Sequence, residues 1–148
     1  MDRAGSGNIL EVARLCFSGK YRKDEMLNRI NGGGGIVAYM NTRDFMDVER
    51  LYEKGDSLAI EVFNALVYQI AKEIGATAAV LRGNVDAIVF TGGMAHWKFF
   101  INEIKGYVEH FAKILVYPGE FEMEALASYA AGVQSGEIKS QNYSGSKS

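Results

Sequence analysis

Hydrophobic residues in this chain recur mostly at helical spacing, and two short apolar runs break that rhythm and read as strands. Ile9 to Phe17 reads as a short helix with Ile9, Val12, Ala13, Cys16 and Phe17 on one side, stopped by Ser18-Gly19. Asp24 to Ile30 reads as a second. Asn31 and the glycines Gly32 to Gly35 break regular structure before the apolar patch Ile36 to Met40, at a large ordering cost unless something holds them. Asn41 or Thr42 can cap a helix from about Arg43 to Lys54, with Phe45, Val48, Leu51 and Tyr52 facing inward and Gly55 at its end. Asp56 starts the longest helix, which runs to about Leu81 and whose apolar positions spread around the rod, as expected of a central helix. Its last turns, Gly75 to Ala79, carry so little bulk that another backbone can lie against them.

Val85 to Phe90 and Ile114 to Tyr117 read as strands, joined by a helix from Lys98 to Phe111 with Phe100, Ile104, Tyr107, Val108 and Phe111 on one face. Glu122 to Val133 is a final helix carrying Met123, Leu126, Ala127 and Ala130, and the Ser- and Gly-rich tail from Gln141 to Ser148 is expected to be disordered. The fold class is therefore α/β, mostly helical, with about two parallel strands and a right-handed crossover. Ligands of open parallel sheets sit beyond the carboxyl ends of the strands, so Gly92-Gly93 and Gly119-Glu120 should face one crevice. Two strands alone leave exposed edges, so the sheet reads as incomplete, and no internal repeat supplies the rest.

Thr91-Gly92-Gly93-Met94-Ala95 is the stretch richest in candidate chemistry. A strand ending in two glycines at a helix start offers unpaired N–H groups, with no side chain blocking approach, to a phosphate. The same pair is also the simplest way to turn a strand into a helix.

The 148 residues are 48% hydrophobic and 23% charged with net charge −2, the profile of a soluble globular chain of about one domain. No basic run offers an electrostatic footprint for nucleic acid or an anionic membrane. Cys16 is the only cysteine, so no intrachain disulfide can form, and Leu15 and Phe17 beside it suggest a small buried side chain. With no signal-like or membrane-length apolar run, a cytoplasmic setting is expected.

Several segments resemble, in order and spacing, the C-terminal part of the butyrate kinase family. They are Gly55-Asp56, Tyr68 to Ala76, Val85 to Gly93, Tyr117 to Glu120 and Glu124 to Ala127, within a similarity running from about Ser6 to Glu137. That family stands with acetate kinase in the acetokinase branch of the actin, sugar kinase and Hsp70 superfamily. The resemblance implies that residues 1–140 are a partial C-terminal nucleotide-binding domain of ribonuclease H-like ATPase fold. It implies ATP or ADP and magnesium as cofactors, with Gly92, Gly93 and Met94 along the nucleotide's sugar and phosphates. Asp44, within the segment Thr42 to Asp47, is implied near the adenine. Glu122 is the closer positional match for an acidic residue associated with magnesium, and Glu120 is the alternative. Asp44, Glu120 and Glu122 also suit the first turn of a helix by charge alone.

The chain departs from the family pattern at Met46, where an arginine is usual, at His96-Trp97, and at Tyr129 and Gly132, where a glycine and an arginine are common. The N-terminal domain of complete members, with its phosphate loop, acyl pocket and phosphoryl-binding arginines, is absent from these residues. So is a second loop of the His-Leu-Gly-Gly-Gly type, for which Gly32 to Gly35 are wrongly placed. His96 and His110 read as a first-turn residue and a solvated helix position. Trp97, Phe99 and Phe100 read as core or subunit contact.

The resemblance implies ATP-dependent phosphorylation of butyrate to butyryl phosphate, reversibly, by the complete enzyme, with no catalytic residue on this chain and no activity from it alone. Butyrate or butyryl phosphate would be engaged only together with the missing half. A homo-oligomer is expected, with neither nucleic acid nor membrane as partner. Two other readings stand beside this one: a non-catalytic remnant that binds nucleotide or oligomerises, and a piece of a related acetate or branched-chain acyl kinase.

Overall fold

The computed structural model describes Gly5 and residues 7–140. The expected tail from Gln141 to Ser148 lies outside the described residues. Helices α1 (Ile9–Cys16), α2 (Lys23–Ile30), α3 (Gly35–Met40), α4 (Phe45–Glu53) and α5 (Ser57–Val80) come first. Strand β1 (Ala87–Gly92), a 3-10 turn (Gly93–His96), α6 (Lys98–Val108), β2 (Lys113–Pro118) and α7 (Glu122–Ser135) follow.

The glycine run is ordered by close approach. Gly33 N–H donates to the Asn28 carbonyl at 2.7 Å, and a Cβ on Gly33 would lie 2.8 Å from the Asn28 side chain. Gly35 then enters α3, so the last glycine opens a helix that the run alone does not announce. Asn41 closes α3 in the left-handed region at φ 52°. The cap of α4 is therefore neither Asn41 nor Thr42 but Asp44, whose carboxylate accepts from Met46 N–H at 2.9 Å. Thr42 supports this cap, since its hydroxyl accepts from Asp44 N–H at 3.1 Å and donates to the Asp47 carboxylate at 2.6 Å.

Asp56 caps α5 by accepting from Ala59 N–H at 2.8 Å, and Gly83, at φ +75°, follows its end. α5 is the central helix and buries Ala59, Val62, Phe63, Val67, Ala71 and Ala78. At Gly75 the near neighbour is a side chain, since a Cβ there would face the Phe111 ring at 3.8 Å. The core is largely aromatic. Phe63 lies 4.9 Å from Trp97, and Phe45 lies 4.8 Å from Phe100, ring centre to ring centre. Trp97 and Phe100 are thus core, with Phe99 at its edge beside Tyr52 and Phe63.

β1 and β2 pair in parallel from Ala87↔Lys113 to Gly92↔Pro118. β1 starts two residues later than Val85 and runs on through Thr91-Gly92, because Gly92 and Gly119 exchange backbone hydrogen bonds of 3.0 and 3.2 Å beyond the ladder. Among the described residues these two strands form the whole sheet. α6 stops at Val108, and Phe111 N–H turns back to the Val108 carbonyl at 3.0 Å.

The flanking helices differ from expectation in packing. α1 buries none of its residues, and Cys16 is exposed, because no described element covers the apolar stripe that its periodicity marks out. α7 leaves Met123 and Leu126 exposed and buries only Gly132, under the Ile138 side chain that folds back on it.

Candidate functional site

The glycine pair differs from a simple strand-to-helix junction. Gly92 sits at φ 82°, ψ −177°, a conformation open essentially to glycine alone. Gly93 opens the 3-10 turn, and Trp97 separates that turn from α6. The positive end of α6 therefore lies at Lys98, five residues beyond Gly93, and only the short turn's own dipoles act at the glycines.

The two glycine amides are not equivalent. Gly92 N–H donates to the Gly119 carbonyl at 3.0 Å, so one of the two amides that sequence reasoning left free is already engaged by protein. Among the described residues, neither Gly93 N–H nor Met94 N–H makes a backbone hydrogen bond outside regular elements. Among the described residues a Cβ on Gly92 or Gly93 would meet nothing within 4 Å, so they leave this surface of the turn open. The opposite side is anchored: Ala95 is buried, and Met94 and Trp97 pack into the central cluster.

The same cluster brings the start of α4 toward the turn. Phe45 packs on Trp97 at 5.5 Å, which places the adjacent Asp44 beside the structure that anchors Met94 and Ala95. Asp44 is exposed, and both its carboxylate and the Thr42 hydroxyl already serve the α4 cap. Met46, one of the departures from the family pattern, is 71% exposed and contributes no cation.

Glu120 follows Gly119 and so lies next to the Gly92 junction, whereas Glu122 is in the exposed first turn of α7. Among the described residues, no group of three or more His, Cys, Asp or Glu could hold a metal ion. Magnesium is commonly held through one or two carboxylates, several waters and substrate phosphates. Glu120 or Glu122 fits as one such donor and does not make a site by itself. His96 is exposed, with Nε2 3.7 Å from the position of a Cβ on Gly119, and His110 is exposed against Phe111. Away from the turn, on α4, burial and then the charge of Glu53 hold the Glu49 pKa above the ordinary carboxylate value.

Sequence reasoning missed two features. The Gly119 carbonyl closing on Gly92 has no side-chain signal. The polar face Lys98, Asn102 and Lys105 of α6, which lines a cavity of 390 Å³ beside the strand ends, was legible from its spacing. A larger cavity of 750 Å³ lies between α5 and the start of β1, lined by residues such as Ile70, Ile74, Val85 and Ile88.

A family model described as the acetokinase family matches residues 7–115, well over half of the chain. The chain belongs to the acetokinase family. Its fold is similar to that of Porphyromonas gingivalis acetate kinase, with a TM-score of 0.73 at 18% identity over 89% of this chain and 40% of that one. It is also similar to a propionate kinase from Francisella tularensis subsp. tularensis SCHU S4, with a TM-score of 0.70 at 21% identity over 82% of this chain and 37% of that one. This acetokinase-family chain thus carries part of the acetate kinase fold, mostly helical with an incomplete parallel sheet, and spans about two fifths of those relatives. Glu120 and Glu122 fall outside the matched residues, whereas Thr42, Asp44 and the glycine turn fall inside. Among the described residues, no helix is long and apolar enough to cross a membrane.

Proposed function

We propose that this chain is the nucleotide-holding C-terminal part of an acetokinase-family carboxylate kinase with butyrate as acceptor. The observation that carries the reading is the open surface of Gly92-Gly93-Met94 at the carboxyl end of β1, in a chain of this family. Gly93 and Met94 N–H bind the nucleotide's sugar and phosphate oxygens, and Gly92 holds the turn in shape through Gly119. Asp44 and Thr42 stand toward the adenine. Glu122, or Glu120 in its place, supplies one oxygen to magnesium, which neutralises phosphate charge when bound.

In the complete reaction a butyrate carboxylate oxygen attacks the γ-phosphorus of ATP, and the bond from that phosphorus to the β-phosphate oxygen breaks. The products are butyryl phosphate and ADP. Phosphoryl transfer depends on alignment and on charge neutralisation at the moving group. Losing one such electrostatic partner costs about 3 kcal/mol of barrier, so these 148 residues alone bind nucleotide without turnover. The complete protein acts in the cytoplasm as a homo-oligomer.

Titration calorimetry of ADP and ATP with magnesium into the chain tests the reading. Saturable binding is expected, and Gly93→Val should abolish it without unfolding the chain, since that side chain projects into open space. No binding by the unaltered chain, or undiminished binding by Gly93→Val, removes the nucleotide role. Joined to the N-terminal part of a butyrate-specific relative, the chain should complete an enzyme that forms butyryl phosphate from ATP. A chain that completes activity only with the N-terminal part of an acetate or branched-chain acyl kinase belongs to that kinase instead.

A second reading is a non-catalytic module that binds nucleotide or self-associates. The exposed Phe17, Met123 and Leu126 favour it.

A further inference from the structure

The end of β2, the 3-10 turn and one face of α6 line an open cavity of 390 Å³, whose floor includes Ile101 and Val116. Among the described residues its polar lining is His96, Lys98, Asn102 and Lys105, with no carboxylate. The positions 98, 102 and 105 are spaced by four and three, so they share a face of α6 and aim at one space. Among the described residues, every ion pair uses an arginine, and neither lysine takes part in one. Lys105 is half-buried. Two ammonium groups and an amide around a concave apolar floor, with no compensating acid, make a site for an anion.

With no arginine among the lining residues a bidentate fork is unavailable, and the compact ammonium point charge of lysine is itself a recurring phosphate binder. We propose that the Lys98, Asn102 and Lys105 pocket binds a phosphate group. Two sources share that chemistry: a separate phosphorylated small molecule, or the terminal phosphate of a nucleotide held at the neighbouring turn. Pro118 lines the pocket and precedes Gly119, the partner of Gly92, so the pocket and the turn meet at the same strand ends. Only the second source rests on the nucleotide reading.

The test is a two-dimensional amide NMR titration of the full chain with inorganic phosphate at constant ionic strength. Saturable shifts at His96, Asn102 and Lys105 are expected. The double variant Lys98→Gln with Lys105→Gln should weaken binding by about tenfold or more, while Lys20→Gln and Lys139→Gln leave it unchanged. Asn102→Asp, which keeps both lysines and adds a carboxylate, should weaken it too and guards against a folding defect in the double variant. Shifts that never saturate, or equal affinity in both altered pockets, overturn the proposal. Competition of phosphate with ADP but not with adenosine identifies the nucleotide's own phosphate, and simultaneous binding identifies a separate molecule. Phosphate binding that persists where ADP fails to bind upholds the pocket and removes only the nucleotide reading.

Discussion

α4, α5 and α6 on one side, and α1 and α7 on the other, are all helices with apolar faces, yet they meet opposite fates. In the first group Val48, Phe63, Phe100 and Ile104 are at most 2% exposed, and rings from three helices interlock. In the second, Ile9 is 85% exposed, Phe17 just past α1 is 91% exposed and Met123 is 76% exposed. Helical spacing tells which face of a rod seeks cover, and only tertiary structure tells whether cover is present. The glycine turn belongs to the covered region, which anchors it through Ala95 and Trp97 while leaving Gly93 open.

The largest test of this contrast is Phe63→Ala. It should cost about 3–5 kcal/mol by denaturant unfolding, because the cavity lies where rings from several elements converge. A cost under about 1 kcal/mol would show the aromatic cluster to be loosely packed.

Gly92→Ala comes next, at about 1–3 kcal/mol, and sharpens the account of the turn. No atom obstructs the new Cβ, so the cost comes from the backbone at φ 82°, ψ −177°. Nucleotide binding should fall with it, measured on chain that is still folded.

Replacing Met123 and Leu126 by Gln should change stability by less than about 0.5 kcal/mol, since both side chains already face water. A much larger loss would mean that α7 is covered in solution, and mass measurement would then reveal self-association.

Glu49→Gln should have the smallest effect, and one that depends on pH. Burial and then the charge of Glu53 raise the folded-state pKa of Glu49, so the native chain holds that proton more tightly than the unfolded chain does. The associated stability is present at low pH and is lost as pH rises through and just above the ordinary carboxylate range. The variant's unfolding free energy should therefore fall less steeply than the parent's over that window, and parallel profiles would contradict the assignment.

The sequence was legible where physics is local. α5 and its Asp56 cap, the parallel pair and the glycine turn all follow from spacing, capping chemistry and breaker residues. Three features were not. Asp44 displaced Asn41 and Thr42 as the α4 cap because α3 extends through Met40 and takes Asn41 as its own terminus. The end of β1 was set by the Gly119 carbonyl, a contact made across 27 residues that no side chain announces. Cys16 reads as buried from its neighbours, but burial needs a second surface, and α1 has none among the described residues. The candidate site divides in the same way: the glycines were visible as a motif, whereas the loss of one of their two amides to the fold became visible only in three dimensions.

The central claim is that Gly93 and Met94 present their backbone amides to an adenine nucleotide. The most direct measurement follows those two amide resonances while ADP with magnesium is added to the chain. The account predicts large, saturable shifts at Gly93 and Met94, with Gly92 changing less because its N–H stays on Gly119. Unmoved Gly93 and Met94 resonances at ADP concentrations that saturate any binding detected by calorimetry would contradict it.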